Sequence, residues 1–473
     1  MSNTLVIEPI TRIEGHAKIT IQLDEQGAVT GTQFHVTQVR GFEQIAAGRP
    51  FREMPALMAR ICGICPVAHL IAGSKACDEI LAVRIPPTAT KLRRILNLAQ
   101  IIQSHALSFF YLSAPDLLLG MDADPAQRHV IGLANADPEL ARGGIRLRQF
   151  GQQVIERLAG ERIHPAWVIP GGVTAPLTSE LRQEILGEIP EVKALAQNAL
   201  DVFKRVLPNF AMEIESFANF PTMFMGLVGS DGALEYYDGL LRLVDADGNV
   251  VQSAIAPEAY EDYIAETLEP HTYLKSPYYR PLGYPEGIYR VGPLARLHIA
   301  ERCGTPLADA ELNVFRDIPA DQRRSGFYYH YARLIEVLHG IEKMEILLDD
   351  PDILNKRVQA SASPNNQEGV GIAEAPRGTL IHHYQIDEHG LITAANLIIA
   401  TGHNNPALEK GITQVAQRFV DGNQLTEGAL NRVEAVVRAF DPCLSCSTHA
   451  IGQMPLDIRL VAGDGQLVDR VMR

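Results

Sequence analysis

"RICGICPVAH" (residues 60–69) and "DPCLSCSTH" (residues 441–449) stand near opposite ends of a 473-residue chain. Each holds a Cys-x-x-Cys and ends in a histidine, and together they take four of the six cysteines. Clustered pairs of this kind point to metal or redox chemistry rather than to a disulfide scaffold, which a chain this long does not need. If the four thiols act together, the fold must bring the two ends of the chain into contact.

The local sequence says how. Pro66 suits the first position of a helix, and "PVAHLIAGSKACDEIL" continues with helical spacing, so Cys62 and Cys65 fall at a helix N-terminus. There the unpaired N–H groups and the helix dipole favour thiolate. In "GALNRVEAVVRAF", Leu430, Val433, Val437 and Phe440 share one helix face. Pro442 forces Asp441 out of the α region, which leaves Cys443 and Cys446 on the loop beyond. Three uses of four such thiols stay open on spacing alone: a structural zinc site, a softer redox metal, or thiol–disulfide chemistry. Cys77 and Cys303 stand alone and are expected to be buried, inert thiols.

The remainder of the chain reads as one α+β unit with a large helical core. Apolar residues make up 46% and charged residues 21%, ordinary values for a globular protein. With 42 Lys+Arg against 56 Asp+Glu the net charge is −14, which disfavours nucleic acid and anionic membranes as partners. No apolar run is long enough to span a bilayer, and the first residues lack the pattern of a secretory signal. "TLVIEPI" and "HAKITIQLDEQGAVTGTQFHVTQV" alternate as strands, with a turn at Glu25-Gln26-Gly27. Helical periods follow from "PPTATKLRRILNLAQIIQSHALSFFYL" (residues 86–112), with Pro115 stopping the pattern, and near 145–160, 178–208, 328–348 and 425–440. Residues 220–300 read as turns and short strands, and strands return near 378–400. "GVGIAE" at Gly369 is only a weak dinucleotide-loop match because its third glycine is missing.

Three more polar stretches accompany the cysteines: "EPITRIEGH" (residues 8–16), "RGFE" (residues 40–43) and "EAPRG" (residues 374–378). Taken with RxCGxCxxxH and DPCxxCxxH, they resemble the large subunit of nickel–iron hydrogenases from the first strand to the last residues. The resemblance implies that family's fold, a long helix bundle with small N-terminal and peripheral sheets. It implies reversible heterolytic cleavage of H2 to protons and electrons. Cys62 and Cys443 match the terminal nickel ligands, and Cys65 and Cys446 match the thiolates shared between nickel and iron. In the family the iron also carries carbon monoxide and two cyanides. Pro376 and Arg377 match the contacts to one cyanide and Thr401 to the other, with His69 and Asp441 beside them. Arg377 is implied as a fixed cation over the open position, Cys443 as the base, and Glu14 as the group that takes the proton onward. Glu43, the backbone carbonyl of Leu397 and His449 match the ligands of magnesium or a similar divalent ion.

One position departs from the pattern: the acidic residue that pairs with the pocket arginine in membrane-bound and periplasmic relatives falls on Ser104. The departure puts the tuning of Arg377 in question, and Asp441 is left as its partner.

Within the family, "GIRLRQFGQQVIE", "IHPAWVIPGGV" and "QIIQSHALSFF" look most like the cytoplasmic, bidirectional, NAD-linked group. No cysteines remain for an iron–sulfur cluster, and neither flavin nor NAD is expected on this chain. The implied partners are an iron–sulfur small subunit, diaphorase subunits with flavin and iron–sulfur clusters, a maturation endopeptidase and nickel-insertion proteins. The expected catalytic domain is residues 1–449. Residues 450–473 are expected to be a C-terminal extension cut between His449 and Ala450 on maturation. The alternatives are a cytoplasmic relative linked to a deazaflavin or to heterodisulfide reductase, a complex I quinone-site subunit, and a zinc-stapled scaffold without catalysis. Retention of all four cysteines counts against the complex I reading.

Overall fold

A computed structural model describes residues 3–448, 457–461 and 467–472. Four long helices, Pro87–Ala106, Pro138–Ala159, Ser179–Val206 and Tyr329–Asp349, pack against one another as the central bundle. Their starts are set locally. Asp137 accepts a hydrogen bond from Leu140 N (3.0 Å) and Thr178 from Leu181 N (3.2 Å), each satisfying an N–H that the helix leaves free. The helices Pro87–Ala106 and Tyr329–Asp349 are buried on almost every side, as befits the centre of a large core.

Around the bundle lie small sheets. Strands Asn3–Ile7, Lys18–Leu23 and Val29–His35 form an antiparallel meander turned at Gly27, as the alternation predicts. Residues 220–300 contribute a four-stranded sheet and the hairpin Ile264–Leu268/Lys275–Tyr279. A third antiparallel sheet, Glu368–Ala375, Gly378–Ile386 and Ile392–Ile398, lies on the Pro66–Leu81 helix.

Two expectations change. The helical run does not stop at Pro115. It passes through a wide turn at Leu107–Ser113 into a further helix, Ala114–Leu119, and ends only at Gly120. Pro115 sits in the first turn of that last piece, where a missing N–H costs nothing. "GVGIAE" belongs to a strand rather than a phosphate loop, and its glycines serve packing. A Cβ on Gly371 would lie 2.0 Å from the carbonyl oxygen of Ala72, so strand and helix approach closer than any side chain permits. Strands Asp457–Val461 and Leu467–Met472 pair antiparallel near the C-terminus. Among the described residues no helix is long and apolar enough to cross a membrane.

Candidate metal centre

The Pro66–Leu81 helix starts where the sequence places it, with Cys65 as N-cap and Pro66 first in the helix. The free N–H groups of Ile64 and Cys65 donate to Cys62 Sγ at 3.2 and 3.1 Å. At the other end of the chain the helix Glu427–Phe440 stops at Asp441, whose backbone is left-handed (φ 54, ψ 57). Cys443 then caps a one-turn helix, Leu444–Ser447, that contains Cys446. The expected loop is therefore partly a helical turn, which aims Cys446 back towards Cys443.

The two motifs meet. One ligand atom from each of Cys62, Cys65, Cys443 and Cys446 lies within 4.8 Å of the others, and all four residues are buried. Cys62 Sγ is 3.5 Å from Cys443 Sγ, and Cys65 Sγ is 3.8 Å from Cys446 Sγ. Cys77 and Cys303 are buried elsewhere and free; burial pushes both thiols above their usual range. Burial also opposes ionisation of Cys62, but hydrogen bonds from the neighbouring thiols and the charge of Arg377 hold it well below the usual thiol value. Burial and the other sulfurs hold Cys443 well above it. Four thiolates carry −4, which two divalent metals balance and one zinc does not.

A small cavity of about 10 Å³ opens beside the sulfurs. Its lining includes Cys65, His69, Pro376, Arg377, Thr401, Cys443 and Cys446. Arg377 reaches Asp441 twice, from Nε to the carbonyl oxygen (2.6 Å) and from Nη2 to Oδ1 (3.0 Å). Burial disfavours its charge, yet Asp441 and the cysteine sulfurs raise its pKa well above the usual value, so the cation persists. Arg377 Nη1 and Asp441 Oδ2 are buried without a partner among the described residues, which leaves bonding capacity for a guest. Thr401 Oγ1 accepts from Cys443 N (2.9 Å), so its own O–H remains to donate. His69 hydrogen-bonds through Nδ1 to His382 (3.1 Å), and burial lowers its pKa to about 4, keeping it neutral. A closed zinc staple requires neither a cavity nor unpaired donors; the residues here fit a binuclear centre with further ligands. Ser104 is fully buried and its hydroxyl has no partner among the described residues, so Asp441 is the carboxylate paired with Arg377.

Glu14 is brought to the same place. Its backbone forms an isolated parallel bridge with Cys443, and Leu444 N donates to its carbonyl oxygen (3.2 Å). Its carboxylate accepts from Ser445 N (3.2 Å) and from the Ser445 hydroxyl. Gly15 makes the approach possible: its φ is +86, and a Cβ there would lie 2.8 Å from Leu444 Cβ.

Glu43 is buried in the short helix Phe42–Ala46. Its Oε1 accepts from Leu397 N (2.9 Å) and from Lys275 Nζ (2.8 Å). Lys275 also reaches Asn396 Oδ1 (3.2 Å) and Glu266 Oε2 (3.4 Å), while Glu266 Oε1 is buried with no donor among the described residues. Lys275 thus draws Glu43, Asn396 and Glu266 into one oxygen-rich cluster around its ammonium. His449 and Ala450, predicted as metal ligand and cleavage site, lie outside the described residues. Sequence reasoning missed Lys275 and Ser445. Ser445 stands inside the CxxC and was open to notice, whereas Lys275 in "YLKSPYY" carries no local signal.

A profile of the nickel-dependent hydrogenase family matches residues 40–135 and 236–449. The chain belongs to that family. A second profile, described as HoxL-like, matches residues 4–39. The hydrogenase is 41% identical over 489 residues to the NAD-reducing hydrogenase HoxS subunit beta of Cupriavidus necator, covering 100% of both chains. It is 43% identical over 413 residues to a vhu-type F420-non-reducing hydrogenase chain of Methanocaldococcus jannaschii, covering 87% of this chain and 98% of that one. The crystal structure of an NAD+-reducing NiFe hydrogenase in the H2-reduced state superposes with a TM-score of 0.92 at 44% identity, covering 94% of this chain and 99% of that one. The α+β architecture with its helical core is thus that of nickel–iron hydrogenase large subunits, and this chain is the catalytic large subunit of such an enzyme.

Proposed function

We propose that this hydrogenase works in a cytoplasmic, NAD(P)-linked complex. Electrons from H2 pass through an iron–sulfur small subunit to a flavin-containing diaphorase. The observation that carries the site is the meeting of four buried cysteine sulfurs, three of them lining one cavity with Arg377, whose Nη1 has no partner among the described residues. Bound by Cys62, Cys65, Cys443 and Cys446, a nickel–iron centre supplies the Lewis acid that polarises H2 and the redox capacity that takes up its electrons. Cys62 and Cys443 would be terminal ligands, and Cys65 and Cys446 shared ones.

The chain's own residues do the rest. Asp441 holds the Arg377 guanidinium in place, so a cation that does not titrate faces the reacting position without reorganising. Pro376, Arg377 and the Thr401 hydroxyl form the wall that would receive carbon monoxide and cyanide ligands on iron. Cys443 Sγ accepts the proton, and the Glu14 carboxylate, held by Ser445, carries it onward. Glu43, the Leu397 carbonyl and His449 would hold magnesium. Residues 450–473 would be removed by an endopeptidase after nickel insertion, leaving residues 1–449 as the mature subunit.

The TM-score of 0.92 at 44% identity to an NAD+-reducing enzyme supports the NAD-linked assignment. The 43% identity to an F420-non-reducing relative favours a second reading, electron delivery to another acceptor. Copurification decides between them. Flavin-containing partners and H2-dependent NAD(P) reduction are expected. A complex that oxidises H2 but neither contains flavin nor reduces NAD(P) contradicts the first reading.

A further inference from the structure

Behind the cavity wall lies a charged cluster that no metal ligand touches. Arg296, on the helix Pro293–Ile299, is fully buried. Its guanidinium meets Glu336 through two bonds, Nε to Oε1 (2.6 Å) and Nη2 to Oε2 (2.7 Å), and Glu374 through Nη1 to Oε2 (2.7 Å). The same nitrogens donate to two consecutive backbone carbonyls, Nη1 to Ala375 O (3.1 Å) and Nη2 to Pro376 O (3.3 Å). The second of these peptides leads directly into Arg377.

Each carboxylate is itself fixed. Glu336, on the helix Tyr329–Asp349, takes a hydrogen bond at Oε2 from His105 Nε2 (2.7 Å), the imidazole being neutral in this setting. Glu374 Oε1 accepts from the Thr379 hydroxyl (2.8 Å) and Leu227 N (3.1 Å). The guanidinium plane rests over the Tyr236 ring at 5.2 Å. A helix through Glu336 and a strand through Glu374 therefore close on one planar cation, and what that cation grips in turn is the backbone beside the cavity. Buried ionic groups are costly to desolvate, and hydrophobic residues of equal volume would stabilise the fold as well or better. Arg is suited to a different task, since its rigid fork can hold two carboxylates and two carbonyls at fixed angles.

We propose that Arg296 is a positioning residue: it fixes the Ala375–Pro376 backbone and thereby aims the Arg377 guanidinium and the Pro376 wall at the four-cysteine site. The proposal rests on the role given to Arg377 above. Because Arg377 must match the reacting position within a fraction of an ångström, loosening its backbone costs rate without removing any metal ligand.

The test uses the enzyme purified with its own partners and compares Arg296→Lys, Arg377→Lys and the double variant. Arg296→Lys keeps the charge but cannot make all five bonds. The expected result is a normal nickel content, a shift in the infrared cyanide bands, and a kcat for H2 oxidation reduced about 10- to 100-fold. The KM for the electron acceptor, which binds elsewhere, stays the same. In the Arg377→Lys background the added Arg296→Lys change should cost little more, since both act through one group. If Arg296→Lys fails to fold, Glu336→Gln, which keeps the volume and weakens the fork, is read in its place. A nickel-loaded variant with wild-type kcat and bands overturns the proposal, and so does a loss of the same factor in the Arg377→Lys background. If the wild-type enzyme shows no cyanide bands, the diatomic reading of the site fails instead, and the double-variant comparison of kcat alone judges Arg296.

Discussion

Glu14 and Cys443, residues from opposite ends of the chain, are paired as backbone neighbours in a parallel bridge. The bridge places a carboxylate held by Ser445 next to the turn that carries two of the four cysteines. Nothing in the core requires that carboxylate, and Glu14 is only partly buried.

The first prediction follows from that pairing. Glu14→Gln keeps the shape and an amide oxygen to accept from Ser445 N, but removes the exchangeable proton. Metals should load normally, while H2 oxidation and H2 exchange with solvent deuterons fall by at least ~100-fold. Interconversion of ortho- and para-hydrogen, which needs no exchange with water, should fall less. Near-normal solvent exchange in a fully metallated variant would exclude Glu14 as the relay.

Gly15→Ala tests the close approach itself. The left-handed backbone at φ +86 costs a side chain roughly 1–2 kcal/mol, and its Cβ would press on Leu444 at 2.8 Å. The expected outcome is an unfolding temperature lowered by a few degrees and impaired nickel loading, since the strain falls on the cysteine turn. Unchanged nickel content and stability would mean that the two segments separate freely.

Cysteine substitutions should divide cleanly. Cys65→Ser replaces a soft thiolate with a hard hydroxyl that stays protonated, and nickel should be lost. Cys77→Ala and Cys303→Ala lie outside the cluster and should keep the full metal complement, as metal analysis of purified protein can establish.

Acid stability should report the ion pair behind the cavity. Burial would raise the pKa of Glu336, but Arg296 and His105 outweigh it and bring the value from 4.5 to about 2. The unfolded chain thus binds this proton more readily than the folded one. The stabilisation is present above pH 4.5 and is lost as the pH falls towards about 2. The difference in unfolding temperature between wild type and Glu336→Gln should shrink over that window. A difference that grows on acidification contradicts the assignment.

Much of the site was legible because its parts are local. Pro66 and Pro442 dictate where helices begin and end, so the placement of Cys65 and Asp441 could be read from neighbouring residues. Pro115 misled because a proline reads the same at the end of one helix and in the first turn of the next. Lys275 and Arg296 were invisible for another reason. Their partners Glu43, Glu336 and Glu374 are distant in sequence, and a buried ion pair leaves no periodic trace along the chain. Glu374 was noticed as part of "EAPRG", but its task, gripping the cation that holds the next two residues, needed the fold to appear.

Processing of the tail gives a mass prediction. Fully active enzyme should contain a chain ending at His449, and protein that still carries residues 450–473 should lack nickel. Intact mass spectrometry of the active fraction decides it, and full activity in an uncut chain refutes the proposal.

The most direct test of the account is elemental analysis of the active, purified large subunit. One nickel and one iron per chain, with zinc absent, is the predicted result, because four buried thiolates beside the Arg377 guanidinium fit a binuclear redox centre. Stoichiometric zinc without nickel in material that still oxidises H2 would contradict it.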